Sequence, residues 1–160
     1  MGIKKEIEIR CHPLMSWDIS NPILSLKSRT KEDLKLLSEL SKQNNWEVDF
    51  AKELAMSYQT LVLTDLQQTI LWVNAGFQTM TGYTADYALG KKPTFLQGEK
   101  TSEKVKSRIR EKLSKGRRVS ETITNYKKNG LAYDCLITII PLLDSNQVIT
   151  HYLALEREAA

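Results

Sequence analysis

The spacing of apolar residues changes along the chain from a helical period to a strand period. From residue 59 onward, short apolar runs alternate with turn residues, which is typical of β-strands. We expect five strands, over residues 60–64, 69–73, 119–126, 131–141 and 148–156. Helical patterns fill the stretch between the second and the third strand. This order predicts an α+β fold, in which a five-stranded antiparallel sheet carries short helices on one side.

Capping and turn residues mark where these elements begin and end. Asn74 can cap a helix over residues 75–81, and Gly82 can close that helix. Thr84 can cap a second short helix that ends near residue 90. Asn129 and Gly130 supply the positive φ angles that a tight hairpin turn needs. The boundaries therefore follow from local chemistry as well as from periodicity.

The first 58 residues predict a helical extension. Pro13 and Pro22 argue against a long helix at the start, so we expect an irregular segment over residues 1–29. A helix is expected to begin near Thr30, with Asp33 in a weaker version of the capping box. Its apolar stripe consists of Leu34, Leu37 and Leu40. After a break at residues 43–45, a second helix is expected over residues 46–57, and its stripe consists of Phe50 and Leu54.

The longest helix between the strands is strongly basic. Thr101 or Ser102 can cap it, and it ends near residue 116. Residues 100–118 hold nine basic and two acidic side chains, which gives a local charge of +7 in a chain of net charge +4. No aromatic residue stands among them to stack on bases. Because Val105, Ile109 and Leu113 form an apolar stripe, we interpret the charges as a solvated outer face and expect no binding to nucleic acid.

Several classes of function are not indicated by the sequence. No paired carboxylates, nucleophile motif or phosphate-binding loop is present, so we expect no enzymatic activity. The two cysteines, Cys11 and Cys135, lack the spacing of a metal or redox motif, and the two histidines are isolated, so we expect no metal. No apolar run is long enough to span a membrane, and the first residues lack a signal core. We therefore expect a cytoplasmic protein with free thiols.

The order of elements, together with their residues, resembles the PAS superfamily over residues 59–158. The residues that carry this resemblance are Leu61-Val-Leu-Thr-Asp65, Ile70-Leu-Trp-Val-Asn74, Phe77, Thr81-Gly-Tyr83 and Leu89-Gly-Lys91. The resemblance implies a PAS fold, which is the α+β arrangement described above. On this basis we divide the chain into an N-terminal extension, residues 1–45, and a PAS domain with a flanking helix, residues 46–158.

A second resemblance is to the flavin-binding LOV subgroup of PAS domains. The segment Gly90-Lys-Lys-Pro-Thr-Phe-Leu-Gln97 is similar to the subgroup's motif Gly-x-Asn-Cys-Arg-Phe-Leu-Gln. The segment Asn125-Tyr-Lys-Lys-Asn-Gly130 is similar to its Asn-Tyr-Arg-Lys-Asp-Gly, and residues 151–156 are similar to its last strand. In that subgroup the motif cysteine forms a light-driven adduct with the flavin, and polar side chains hold the edge of the isoalloxazine ring.

The departures from the LOV pattern fall on the residues that do its chemistry. Proline stands at the position of the reactive cysteine, Pro93, and it has no nucleophile. Lys92 and Thr94 replace the motif's Asn and Arg, Cys135 replaces a flavin-holding Asn, and Glu156 replaces the glutamine of the last strand. We therefore expect no LOV photochemistry and no bound cofactor. FMN remains the cofactor to test, because the resemblance implies it.

Four residues are candidates for the lining of a PAS cavity: Gln97, Asn125, Cys135 and Glu156. Gln97 and Asn125 are retained from the LOV pattern and could face a ligand, or they could bind loops to strands through backbone hydrogen bonds. Cys135 could be a sensor thiol or an inert strand residue. Glu156 could bind a proton or a cationic ligand, or it could pair with a basic residue near the end of the sheet.

The leading hypothesis is a stand-alone PAS module that senses or relays a signal through contact with a partner protein. The alternative is a non-photochemical sensor that binds flavin or another small molecule. We also expect a homodimer. One helical stripe of the extension can cover the outer face of the sheet, to which we assign Leu61, Leu63, Trp72, Ile137 and Ile139. The other stripe would then stay exposed and form the interface, unless both helices fold back on their own sheet and leave a monomer.

Overall fold

A computed structural model describes residues 22–160 of the chain. Two helices come first, α1 (Pro22–Asn44) and α2 (Phe50–Glu53). A hairpin follows, formed by β1 (Thr60–Asp65) and β2 (Ile70–Val73). The helical stretch contains α3 (Gly76–Thr81), α4 (Ala85–Ala88), a 3-10 helix (Pro93–Leu96) and α5 (Glu103–Ser114). The chain finishes with β3 (Val119–Tyr126), β4 (Ala132–Leu143) and β5 (Ile149–Glu158).

The five strands form one antiparallel sheet in the order β2-β1-β5-β4-β3. The first and last strands are thus neighbours at the centre, with Leu61 opposite Leu155 and Leu63 opposite Leu153. This topology confirms the predicted α+β class and the predicted number of strands. Each predicted strand overlaps its counterpart in the structure, because alternation and turn residues determine both ends.

One face of the sheet, here called the inner face, packs against α3, α4 and the 3-10 helix. Phe77 and Ala88 from the helices are fully buried there against Val62, Ile70 and Ala154 from the strands. Gly76 begins α3 where the backbone passes very close to β1. A Cβ atom at this position would lie 1.8 Å from the carbonyl oxygen of Gln59, so only glycine fits without a backbone shift.

The outer face of the sheet is covered by the N-terminal helices of the same chain. Leu37 from α1 and Phe50 from α2 pack with Trp46 and Leu54 on a row of aliphatic strand residues. That row consists of Leu61, Leu63, Ile140, Leu142, Leu153 and Leu155. The assignment of Ile137 and Ile139 to this face was wrong. They pack on the inner face, because alternation along β4 places odd-numbered residues there and even-numbered residues outside.

The N-terminal boundary of α1 also differs from the prediction. The helix begins at Pro22, although Pro22 was interpreted as an argument against a helix. Proline suits the first helical position, where its missing N–H would have no partner in any case. Thr30 therefore lies inside the helix and does not cap it. The expected irregular segment before residue 22, which includes Cys11, lies outside the described residues.

The second helix is much shorter than the expected span of 46–57. Only Phe50–Glu53 is helical, capped by the Asp49 side chain, which accepts from the Lys52 N–H. Trp46 forms a bridge with Asp144, and its Nε1 donates to the Thr150 hydroxyl at 2.9 Å. These contacts hold the segment before α2 in an extended conformation against the sheet.

Most of the predicted caps are confirmed. Thr84 and Ser102 cap α4 and α5 through their hydroxyl oxygens, and Gly82 ends α3 with a φ of +81°. In the turn before β4, Gly130 has a positive φ of +84°, whereas Asn129 does not. The prediction for Asn74 was wrong. Its side chain does not cap α3 but accepts from the Leu61 backbone N–H at 3.0 Å, which joins the end of β2 to β1.

Candidate functional site

A cavity of about 130 Å³ lies between the inner face of the sheet, the 3-10 helix and α5. Its walls are mainly aliphatic, because the apolar stripe of α5 faces the alternate strand residues that point to the inner face of the sheet. The apolar lining includes Val62, Leu96, Ile109, Ile137 and Ile139. The lining also carries polar side chains, so the cavity combines apolar walls with a few hydrogen-bonding groups, as ligand sites do.

Three of the four candidate residues, Gln97, Asn125 and Glu156, line this cavity together. They come from the end of the 3-10 helix, from β3 and from β5. Cys135 is not part of the lining, but it lies beside Glu156 within the same sheet. The structure therefore brings the four positions into one region, while their role in binding stays a prediction.

Glu156 is the most unusual group in the cavity. The register of β5 places it between Thr60 of β1 and Ile137 of β4, so it lies inside the sheet and not near a solvated end. Its side chain is buried, and the Cys135 thiol donates to its Oε2 at 3.7 Å. Burial raises the pKa of this carboxyl to about 7, and the thiol hydrogen bond offsets a small part of that shift. Pairing with a lysine or arginine, considered from the sequence, is not observed in the described structure.

Cys135 has the environment of an inert thiol. It is fully buried, and burial together with the nearby Glu156 carboxyl raises its thiol pKa far above the ordinary value. Reactivity requires the thiolate. The geometry therefore supports the interpretation of Cys135 as a strand residue that packs against Met80 and Ile123.

Tyr133 is a polar member of this region that the sequence analysis missed. Its hydroxyl is buried and makes no hydrogen bond within the described part of the chain. Burial raises its pKa, the Cys135 and Glu156 groups raise it further, and the adjacent Asn125 amide partly offsets the shift. The tyrosine at an odd-numbered, inward-facing position of β4 was the available signal, because a buried hydroxyl usually has a partner.

Pro93 lies at the cavity, where the LOV pattern has its reactive cysteine. It occupies the first position of the 3-10 helix, where proline is well tolerated, and it contributes to the cavity lining. Lys92 is exposed and is not part of the lining, whereas Thr94 is. The position that would carry the nucleophile thus offers only a saturated ring to the cavity.

A second buried polar cluster joins α1 to the sheet. The Asp33 carboxylate accepts at its Oδ2 from the Tyr58 hydroxyl and from the Asn74 Nδ2, each at 3.0 Å. Burial raises the pKa of Asp33, and the hydrogen bonds from Asn74 and Tyr58 partly offset this shift. Sequence reasoning placed Asp33 in a capping box, so this cluster was not predicted.

The basic helix α5 is partly neutralised by acidic neighbours. Arg108 donates to both carboxylate oxygens of Glu121 on β3, with distances of 3.0 and 2.9 Å. Lys115 pairs with Glu111 at 2.6 Å, and Lys106 pairs with Glu103. No group of acidic residues, cysteines and histidines that could hold a metal ion occurs among residues 22–160. Over the same residues, every helix is too short or too polar to cross a bilayer.

Comparison with known proteins identifies the class. The family model described as PAS domain matches residues 59–158, and the chain belongs to this family. The blue-light photoreceptor of Listeria innocua serovar 6a is 35% identical over 98 residues, which are 59% of this chain and 39% of that protein. Phototropin-1B of Oryza sativa subsp. japonica is 33% identical over 110 residues, which are 67% of this chain and 12% of that protein. The chain thus spans well under half the length of these relatives.

Solved structures support the LOV-like subgroup. The light-state structure of the Aureochrome1 LOV domain is 31% identical, with a TM-score of 0.63, and the match covers 70% of this chain and 90% of that chain. The LOV domain of the Erythrobacter litoralis EL346 blue-light-activated histidine kinase is 27% identical, with a TM-score of 0.60, and covers 66% and 98%. The chain is therefore a LOV-like PAS sensory domain.

The cavity does not fit a flavin in its present form. A dry cavity of about 150 Å³ holds one benzene ring, and ligand pockets for drug-sized molecules start at about 300 Å³. The isoalloxazine system has three fused rings, whereas this cavity measures about 130 Å³. In addition, a buried acid stands at Glu156 in place of the amide of the LOV pattern. Gln97 and Asn125 are the polar groups retained from the LOV pattern. By themselves they do not supply the full set of polar side chains that holds the edge of the isoalloxazine ring in that pattern.

Proposed function

We propose that this chain is a PAS sensory module that works without a cysteinyl-flavin adduct and relays its signal through contact with a partner protein. The observation that carries the proposal is the position of Pro93 in the cavity lining. A photochemical adduct needs a thiol against the ring. The one cysteine among the described residues, Cys135, is buried beside Glu156 with a strongly raised thiol pKa.

The connection between α1 and the sheet supports a relay through protein contact. The Asp33 cluster and the burial of Leu37 couple the N-terminal helix to strands that also line the cavity. A change in the cavity can therefore alter the docking of α1, which a partner can sense. Cytoplasmic location and a non-enzymatic role are parts of the same proposal.

A small-molecule sensor that binds flavin without photochemistry is the second candidate. The convergence of Gln97 and Asn125 on one cavity favours it, because both are retained from the flavin-binding pattern. The cavity volume argues against it. Absorbance of the purified protein in the blue, from a bound flavin, would favour this second candidate over a flavin-free module.

Reconstitution with FMN followed by blue illumination tests the proposal. We expect no bleaching that recovers in the dark, because Pro93 provides no nucleophile. Pro93→Cys is the informative control. It restores the thiol but not the residues around it, so we expect it to remain a poor photoreceptor. Reversible bleaching of the unmutated chain would contradict the proposed function.

A further inference from the structure

The Glu156 carboxyl lies on the cavity wall with most of its hydrogen-bonding capacity unused. An ionised carboxylate offers about four acceptor sites on its two oxygens. Within the described residues, its one side-chain partner is the Cys135 thiol at 3.7 Å, which is a weak donor. A buried polar group with fewer hydrogen bonds than it can form raises the free energy of the folded state. A ligand that supplies hydrogen bonds to this carboxyl would remove that cost.

The size of the cavity restricts the ligand to about one ring. Its volume is about 130 Å³, close to the roughly 150 Å³ that holds benzene in an apolar cavity. Ile137, Ile139 and Ala154 provide aliphatic contact on the sheet side. The cavity therefore suits a molecule with an apolar, ring-sized body and one polar edge.

Among residues 27–160, no cation pairs with Glu156 to fix it in its ionised form. The titratable groups that face it are Cys135 and Tyr133 on β4, and Glu158 lies two residues away on its own strand. The nearby cation, Lys127, pairs with Glu158 at 2.8 Å. The facing residues of α5 are aliphatic. With its pKa raised to about 7 by burial, the carboxyl can hold or release a proton near neutral pH.

We propose that the cavity binds a single-ring heteroaromatic base with an amino group next to a ring nitrogen, and that Glu156 recognises this edge. The proposal rests on the proposed sensory function, because it names the ligand class of the same cavity. The amino group donates to one carboxyl oxygen, and the ring nitrogen shares one proton with the other oxygen. The pair contains this single proton whether the proton lies on the carboxyl or on the ring. Affinity for the base is therefore highest at a pH between the pKa of Glu156 and the pKa of the ring nitrogen. It falls at lower and at higher pH.

Calorimetric titration with 2-aminopyridine as the probe and aniline as its match tests the proposal. Aniline has a six-membered aromatic ring of the same size and the same amino group, but it has no ring nitrogen. We expect 2-aminopyridine to bind at least about tenfold more tightly, which is the effect of one charge-assisted hydrogen bond. Glu156→Leu, which replaces the buried acid by an apolar side chain, should remove this preference and leave aniline binding within about twofold.

Glu156→Gln separates proton sharing from simple hydrogen bonding. A neutral amide still forms two hydrogen bonds with 2-aminopyridine, but it cannot titrate. We expect the bell-shaped pH dependence to become a single decline at low pH, where the ring is protonated. Thermal melts of both variants verify that they are folded.

Three results would overturn this inference: equal affinity for the two rings, no binding of either at millimolar concentration, or a bell-shaped profile that persists in Glu156→Gln. None of these results bears on the adduct chemistry. Conversely, reversible bleaching with FMN would contradict the proposed function and leave a measured ring preference intact. The two proposals therefore fail in distinguishable ways.

Discussion

The Asn74 side chain donates to the Asp33 carboxylate at 3.0 Å and thereby connects the N-terminal helix to the end of the first hairpin. The same amide accepts from the Leu61 backbone at 3.0 Å through its oxygen, so one side chain joins three elements. Tyr58 completes the arrangement with a hydrogen bond to the same Asp33 oxygen. Removing Asp33 leaves the Asn74 Nδ2 without its acceptor, and removing Asn74 takes the acceptor of the Leu61 N–H away.

Asp33→Ala should therefore destabilise the fold by about 1–3 kcal/mol, because it leaves the buried Asn74 Nδ2 without its acceptor and removes one hydrogen bond of the Tyr58 hydroxyl. Chemical denaturation measures the loss, and hydrogen exchange should show that α1 loses protection first. Asp33→Asn retains an acceptor and should remain close to the parent. Glu39→Ala, at an exposed position of the same helix, is the surface control. If Asp33→Ala were as stable as Glu39→Ala, the cluster would have no role in docking α1.

The pH dependence of stability should reveal Glu156. Its pKa in the folded state is about 7, above the ordinary value of 4.5, so its contribution to stability is complete below pH 4.5 and is lost as the pH rises through 7. Glu156→Gln does not titrate. Relative to that variant, the parent should lose about 3 kcal/mol between about pH 5 and pH 8. Denaturant melts at both pH values measure the difference. Glu158→Gln, on the same strand, should lose stability over this pH range as the parent does. If the parent and Glu156→Gln lost stability equally, the prediction would be wrong.

The sheet was predictable from the sequence because local signals determine it. Alternation of apolar residues and turn residues such as Gly130 placed all five strands, and the motif residues led to the family. The resemblance named Gln97, Asn125 and Glu156 as candidates for the cavity lining, but it left open whether each faces a ligand or has a structural role. These features depend on residues near one another in sequence or on a pattern shared with relatives.

Contacts between distant elements were not predictable in the same way. Asp33 and Asn74 lie 41 residues apart, and each also fitted a local role as a helix cap. Pro22 suits both a helix start and a helix break, and only the surrounding structure distinguishes them. The volume of the cavity depends on how closely α5 approaches the sheet, which no single segment encodes.

The charged face of α5 should not bind nucleic acid. Its pairing with Glu121, Glu111 and Glu103 reduces the field that phosphates would meet, and Arg108 already uses its fork on Glu121. We expect no sub-micromolar affinity for duplex or single-stranded DNA near physiological salt in fluorescence anisotropy. Salt-sensitive binding that disappears in Lys106→Glu with Arg110→Glu would overturn this expectation.

The homodimer stays a prediction, but the structure changes its basis. Both apolar stripes of the extension lie on the sheet of their own chain, with Leu37 and Leu54 buried, so the exposed second stripe that motivated the dimer is not found. Leu37→Glu would consequently damage the core and could not report on association. The part of the outer face over β3 and β4 has a different lining, which includes Thr122, Leu136 and Thr138.

If the chain forms a dimer, this part of the sheet is the surface that we expect to mediate it. Leu136 is half-buried there and does not belong to the hydrophobic core beneath α1. Sedimentation at tens of micromolar should show a dimer for the parent, and Leu136→Glu should shift it to a monomer because a charge is then buried in the interface. Leu131→Glu, at an exposed residue in the turn before β4, should leave the dimer intact. A parent that sediments as a monomer would end the dimer prediction, since the helical stripes are already covered within one chain.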